Sequence, residues 1–143
     1  MTVISRGMKQ YEILPHTADV AIRATGSTKP ALLAAALQGM FAAAEPRFLT
    51  PEEPRQRVFK IEAGDFAALL VDFLNQAVAL SDINREAYED ARFSLVTDKK
   101  IEGTLIGRAI DSFGTQIKAA THHNLEVKKN GQDFWEATIT FDV

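Results

Sequence analysis

The sequence contains no cysteine in its 143 residues. This excludes disulfides, thiolate zinc sites and cysteine nucleophiles, and it fits a cytoplasmic protein. Uninterrupted runs of 18 or more apolar residues, which a membrane-spanning helix would need, are also missing. The opening residues MTVISRGMKQ lack the apolar segment and small-residue cleavage site of a signal peptide. We therefore expect a cytoplasmic protein without a membrane partner.

Several motifs of nucleotide binding and hydrolysis are absent as well. The sequence has no GxGxxG, P-loop, GxSxG or HExxH segment. Its three histidines are His16, His122 and His123. If the adjacent pair lies on a strand, the two rings point to opposite faces and cannot share one ion. Because zinc requires three or four nitrogen or sulfur ligands, a histidine-based zinc site is not expected.

Positive charge is scarce too, since the formal net charge is -3. Proteins that bind nucleic acid directly usually carry a basic patch that neutralises phosphates. The short basic runs Lys99-Lys100 and Lys128-Lys129 fall where hairpin ends are expected, so they are interpreted as solvated turns. We expect no strong direct binding of nucleic acid.

The apolar pattern predicts two helices within one domain. Thr28 is a suitable N-cap with Pro30 in the first turn, and Pro46 ends that helix. Asp65 caps a second helix whose apolar stripe runs from Phe66 to Val78. This second stripe is wide enough to predict a helix packed on more than one side.

Strand patterns surround these helices. Strands are predicted at 11–14, 20–24 and 55–63, and almost continuously from Arg92, with partial alternation over 116–129. Asn130-Gly131 predicts a hairpin, after which Trp135, Ala137, Ile139 and Phe141 should share one face. Residues 48–54 are predicted as a loop, 1–9 as a flexible N-terminal arm and 10–143 as the domain. The order predicts a single α+β domain, mostly antiparallel sheet with two main helices.

Three polar groups interrupt this apolar pattern. The first is His16-Thr17-Ala18-Asp19, for which a capped turn is the simplest interpretation. The second is Asp142, one residue from the carboxylate of Val143. Its simplest interpretation is an exposed aspartate at a frayed strand end. The third is Lys118–His123, which fits either the polar protection of an edge strand or a partner-facing strip.

Considered together, these groups suggest a cation site. Ca²⁺ and Mg²⁺ prefer carboxylate, carbonyl and water oxygens. If the first and last strands lie side by side, Asp19, Asp142 and the Val143 carboxylate could converge. Two carboxylates that close repel unless a cation or a basic side chain lies between them.

The sequence resembles the archease family from about Gln10 to Val143. The resemblance rests on three blocks in order: YEILPHTAD at 11–19, KAATHHNLEV at 118–127, and the terminal Phe141-Asp142-Val143. Gly26, the alanine-rich helix up to Phe41 and the segment 69–82 also fit the family pattern. Residues 87–105 match it less well.

The resemblance implies an accessory protein rather than an enzyme. Archease assists the RNA-splicing ligase, which joins a 3′-phosphate or 2′,3′-cyclic phosphate end to a 5′-hydroxyl end. It promotes guanylylation of the ligase's histidine and allows multiple turnovers. By resemblance, Asp19, Asp142 and Val143 hold a divalent cation, with Ca²⁺ preferred over Mg²⁺ or Mn²⁺, and Lys118 acts beside them. His16 and His122 are weaker candidates for residues that activation requires.

Two alternatives remain open at this point. One is a metal-dependent phosphohydrolase, whose general base could be only His16. The other is a metal-independent, chaperone-like modulator of RNA- or DNA-modifying enzymes, such as an RNA-modifying methyltransferase. Release of phosphate without a ligase would favour the first, and activity unchanged by chelation would favour the second.

Overall fold

The computed structural model describes residues 7–14, 19–50 and 53–143. This part of the chain forms two helices and nine strands. In chain order they are β1 (Lys9–Leu14), β2 (Val20–Gly26), α1 (Lys29–Ala44), β3 (Pro46–Phe48), β4 (Arg55–Glu62), α2 (Phe66–Asn84), β5 (Glu86–Val96), β6 (Lys100–Phe113), β7 (Ala119–Ala120), β8 (Val127–Lys129) and β9 (Trp135–Asp142).

The strands form two antiparallel sheets. The first has the order β1-β2-β9-β7, and β8 also pairs with β9. In the second, the long strand β6 pairs with β3, β4 and β5. The predicted α+β class, mostly antiparallel with two main helices, is confirmed. The last strand buries Ala137, Ile139 and Phe141 on one face, as its alternation predicts.

Helix α1 is buried on nearly all sides. Thr28 caps it by accepting a hydrogen bond from the Ala31 N–H at 3.2 Å. The helix packs against β1, β2 and β5, and small alanine side chains let these strands approach. Gly39 allows a close approach, because a Cβ there would lie 2.8 Å from Ile22 Cδ1 and 3.0 Å from Tyr11 Cβ. The first sheet therefore rests directly on the helix backbone.

Helix α2 is also a core helix. The side chain of Asp65 caps it, as predicted, by accepting a hydrogen bond from the Ala68 N–H at 2.8 Å. By length and mean hydropathy α2 could cross a membrane, but half of it is buried inside the fold. Its Phe73 meets Phe59 and Phe93 at ring-centroid distances of 5.1 and 5.8 Å, which ties the helix to the second sheet.

Some predicted boundaries differ from those observed. Phe48 was placed in a loop but pairs with Ile110 in β3. Strand β5 begins at Glu86, whereas the sequence predicts strand only from Arg92. The prediction misses the first residues because register shifts after Tyr88 and Phe93 break the two-residue alternation of a regular strand.

The strand boundaries also differ from the prediction in the stretch 116–129 and at the N-terminus. Only residues 119–120 and 127–129 of the partly alternating stretch 116–129 are strand. At the N-terminus, Lys9 pairs with Gly26. Met8 donates its N–H to Ser27 Oγ at 2.8 Å. Residues 1–6 of the predicted arm lie outside the described residues.

Candidate functional site

Asp19 and Asp142 lie at the same end of two neighbouring strands. Strands β2 and β9 pair antiparallel, starting with Val20 opposite Phe141. Asp19 precedes Val20 and Asp142 follows Phe141, so the pairing places the two acidic residues next to each other. The sequence separates them by almost the whole chain. The sheet brings them together because β9 inserts between β2 and β7.

Lys118 is attached to the same strand end through its backbone. Its N–H donates to the carbonyl of Asp142 at 2.8 Å, and the next residue, Ala119, is the register partner of Asp142. Thr121 continues the contact by donating its hydroxyl to the carbonyl of Thr140 at 3.0 Å. Asp142 thus has the start of β2 on one side and the start of β7 on the other.

Asn75 of α2 holds strand β7 in this position. Its Nδ2 donates to the carbonyl of Ala120 at 3.1 Å, and its Oδ1 accepts the Ala120 N–H at 2.7 Å. Sequence reasoning missed this residue, although a polar side chain beside the apolar stripe of α2 is a usable signal. Asn75 replaces the backbone partner that the two-residue strand β7 would otherwise lack.

The acidic pair is open to solvent. Asp19, Lys118 and Asp142 are exposed, and Val143 is half-exposed. Over residues 7–14, 19–50 and 53–143, neither aspartate forms an ion pair, and no three histidine, aspartate or glutamate side chains gather into a metal cluster. The donors available here are therefore two side-chain carboxylates, to which the predicted carboxylate of Val143 would add a third. An all-oxygen donor set of this kind fits a hard divalent cation.

The predicted histidine candidates are less closely tied to this end of the sheet. His16 lies outside the described residues. His122 and His123 are exposed in a turn after β7, where the Leu125 N–H donates to the His122 carbonyl at 3.1 Å. The two rings are therefore on a turn and not on a strand. The pairing between β7 and β9, the strand that carries Asp142, includes Ala119 and Ala120 but not His122.

A buried ionic network was not anticipated from the sequence. The fully buried carboxylate of Glu86 accepts two hydrogen bonds from Arg57, at 2.9 and 2.8 Å, and one from the Tyr88 hydroxyl at 2.9 Å. Hydrogen bonds from Arg57 lower the pKa of Glu86 more than burial raises it. Burial, followed by the bond to Glu86, raises the pKa of Tyr88.

This network connects α2, β4 and β5 at one end of the core. The Ser81 hydroxyl near the end of α2 donates to the Glu86 carbonyl at 2.6 Å. Arg57 shares a strand face with the buried Phe59 and Ile61, and this inward-facing arginine is the signal that could have predicted a buried acidic partner. Since every bond connects parts of the core, we assign the network to stability.

Fold and site together define a small α+β protein that presents two aspartates and a lysine at one end of an antiparallel sheet. The model of the Archease protein family (MTH1598/TM1083) matches residues 11–143. The chain belongs to the archease family.

Similar proteins match over nearly their whole length. The archease of Methanosarcina barkeri is 27% identical over 143 residues, covering 94% of this chain and 97% of the relative. That of Thermococcus gammatolerans is 26% identical, with 95% and 100% covered.

Two solved structures share the fold. Protein 1598 of Methanobacterium thermoautotrophicum superposes with a TM-score of 0.66 at 20% identity, covering 93% of this chain and 98% of its own. A Thermotoga maritima protein described as "an archease, possible chaperone" gives 0.62 at 23% identity, covering 91% and 94%. At these identities the two structures bear on the fold alone.

Proposed function

We propose that this protein activates an RNA-splicing ligase and does not act as a free-standing enzyme. The ligase would join 3′-phosphate or 2′,3′-cyclic phosphate ends to 5′-hydroxyl ends, and the activator would promote guanylylation of the ligase histidine. The observation that carries the proposal is the placement of Asp19 beside Asp142, with Lys118 bonded to the Asp142 carbonyl. These are the residues at which the sequence matches the three archease blocks.

In this proposal, Asp19, Asp142 and the carboxylate of Val143 hold a divalent cation, with Ca²⁺ foremost and Mg²⁺ or Mn²⁺ as alternatives. When bound, the cation would supply positive charge that stabilises the negative charge developing during guanylyl transfer. The exposure of both aspartates supports this role, because a site for acting on another protein must be reachable from outside. Among the residues that the structure describes, no basic side chain pairs with either aspartate, which leaves their negative charge available to a cation.

Lys118 would serve as a point charge directed at the ligase or its nucleotide. Its backbone is fixed by the hydrogen bond to Asp142, while its side chain is exposed. A lysine ammonium on a flexible stem can reach a phosphate or an acidic residue of a partner. His122, in the exposed turn after β7, is a secondary candidate for the same contact.

The direct test is a guanylylation and joining assay with the ligase of the same organism. We expect Asp19→Ala, Asp142→Asn and Lys118→Ala to lower activated turnover by at least tenfold. Asp142→Asn leaves the backbone pairing intact, because Lys118 bonds to the carbonyl and not to the side chain. Asp72→Asn on α2 and Lys99→Ala in the β5–β6 turn are matched exposed controls. Full activation by both aspartate variants would refute the proposal.

Chelation separates this function from a chaperone-like one. The second candidate is a chaperone-like modulator of RNA- or DNA-modifying enzymes, such as a methyltransferase. The Thermotoga maritima protein of the same fold is itself described as a possible chaperone. A modulator that works by holding its client needs no metal. The decisive protein is the double variant Asp19→Ala, Asp142→Asn, whose cation site cannot refill when the metal required by the ligase itself is restored after treatment with EDTA and EGTA. Wild-type activation by this variant would select the second function.

A further inference from the structure

A groove between the two sheets takes no part in the proposed cation site. Its floor is Phe41 and Ala42 of α1, and its walls include Tyr11 of β1, Phe48 of β3 and Tyr88 of β5. The groove has a volume of about 380 Å³. Pockets of roughly 300–1,000 Å³ accept ligand-sized groups. The lining is mostly apolar, so its occupant should contribute apolar side chains.

One wall of the groove is an unpaired strand edge. Strand β1 pairs with β2 along its whole length, and in the described part of the chain no strand pairs with its other edge. Unpaired N–H and C=O groups on such an edge recognise an extended backbone. Across the groove, β5 is already partly covered, because Gln38 donates to the Glu89 carbonyl at 2.9 Å. The free backbone groups are therefore those of β1.

The side chains of β1 are suited to a strand partner. Tyr11 and Ile13 are 42% and 46% exposed, and strand alternation places both on the same face. The edge strand β4 of the second sheet differs. There Val58 is 79% exposed and shares its strand face with Lys60, the kind of charge that usually protects an edge.

The charges around the groove are already balanced. Lys9 pairs with Asp90 at 3.4 Å. Arg108 pairs with Glu89 at 2.6 Å, while its guanidinium stacks over Phe48 at 3.7 Å. A charged occupant would have to compete with these pairs, so an uncharged one fits best.

We propose that the groove binds an extended, uncharged segment of the ligase, which adds to β1 as a strand and places an apolar side chain between Tyr11 and Phe48. The identity of the partner rests on the proposed function. Strand β1 leads at Leu14 toward Asp19, so a ligase segment on β1 would approach the acidic pair. Contacts in the groove would contribute to the binding of the ligase, and the proposed cation site at the strand end would act in guanylyl transfer.

Site-specific photocrosslinking tests the contact. A benzoylphenylalanine at position 11 is mixed with the purified ligase of the same organism, and the same group at position 58 serves as the matched control on the charged edge. We expect position 11 to give at least tenfold more crosslinked ligase, and mass spectrometry to locate the crosslink in an extended apolar segment.

A pair of variants supplies an independent measurement. Ala42→Glu puts a charge on the groove floor and should weaken ligase binding at least tenfold, while Val58→Glu should leave it unchanged. Thermal melting shows whether Ala42→Glu is folded; if it is not, the crosslink ratio decides. Equal crosslinking from both positions, or wild-type binding by folded Ala42→Glu, overturns the groove proposal and leaves the activator role standing. A wild-type protein that neither binds nor stimulates the ligase overturns both.

Discussion

Arg57 holds the fully buried carboxylate of Glu86 with two hydrogen bonds, of 2.9 and 2.8 Å, at the end of the core. Arg57 is partly exposed, so water can solvate the guanidinium that remains once the Glu86 charge is removed. We expect Glu86→Gln to lower the free energy of unfolding by about 1–3 kcal/mol, because the hydrogen bonds that Arg57 and Tyr88 donate to this buried group become weaker. Urea denaturation measures the loss. Glu89→Gln, which breaks the exposed pair with Arg108, should cost less than about 1 kcal/mol. Equal losses would show that burial of Glu86 does not matter.

The same pair predicts a pH dependence. Hydrogen bonds from Arg57 hold the pKa of Glu86 below its ordinary value of 4.5. The unfolded state therefore binds the proton first, so this stabilisation is complete above the ordinary pKa and is lost as pH falls through the lower folded pKa. Unfolding free energies measured from pH 6 to pH 3 should decline more steeply for wild type than for Glu86→Gln. Parallel curves would contradict the assignment.

Gly107 of β6 should not tolerate a side chain. A Cβ there would collide with the Ala87 carbonyl oxygen and lie 2.8 Å from Tyr88 Cδ1. Forcing extra atoms into a packed site typically costs about 1–3 kcal/mol. We expect Gly107→Ala to lower the melting temperature, whereas Gly64→Ala, with no atom within 4 Å of the new Cβ, should leave it unchanged. A stable Gly107→Ala protein would mean that β5 and β6 separate easily.

Asn75 should affect activation without touching the ligase site itself. Asn75→Ala removes both hydrogen bonds to Ala120, at a cost of roughly 1–3 kcal/mol in stability. Because β7 carries Lys118 to the Asp142 carbonyl, we also expect less ligase activation below the melting temperature. The activity assay should show a higher activator concentration for half-maximal turnover, with Gln76→Ala as the neighbouring control. Unchanged activation would limit Asn75 to a structural role.

An extension after Val143 tests the third carboxylate. Adding glycines turns the Val143 carboxylate into an amide carbonyl and removes one negative charge from the proposed site. We expect the melting-temperature increase produced by Ca²⁺ to shrink, as follows when a ligand binds the folded state more weakly. An identical extension before residue 1 is the control. Equal Ca²⁺ stabilisation of the two proteins would remove Val143 from the proposed ligand set.

Local patterns predict the helices and the final strand because their signals are short-range. Thr28 and Asp65 each precede an apolar run and have the side-chain acceptors that an N-cap needs, and both caps are present. The alternation ending at Phe141 shows which face of β9 is buried. By contrast, the start of β5 at Glu86 is hidden by two register shifts, which interrupt the periodicity on which such predictions depend.

The sequence shows which residues could form the site, but it does not show that long-range strand pairing brings them together. The chemical types of Asp19, Lys118 and Asp142 are visible in the sequence, but only the β2–β9 and β7–β9 pairings make them neighbours. The blocks that resemble archease contain these three residues, so the resemblance predicts the site without the pairing. Glu86 and Asn75 carry no comparable motif, because each acts through partners distant in sequence, Arg57 and Ala120.

The central position of β9 also has a consequence for synthesis of the protein. Until the ribosome has released residues 135–142, the first sheet lacks the strand that joins β2 to β7 and β8. Contacts between distant parts of a chain form late and slow folding. A nascent chain that lacks β9 would therefore display Asp19 without its acidic neighbour, and the two aspartates would come together only after β9 has paired with β2.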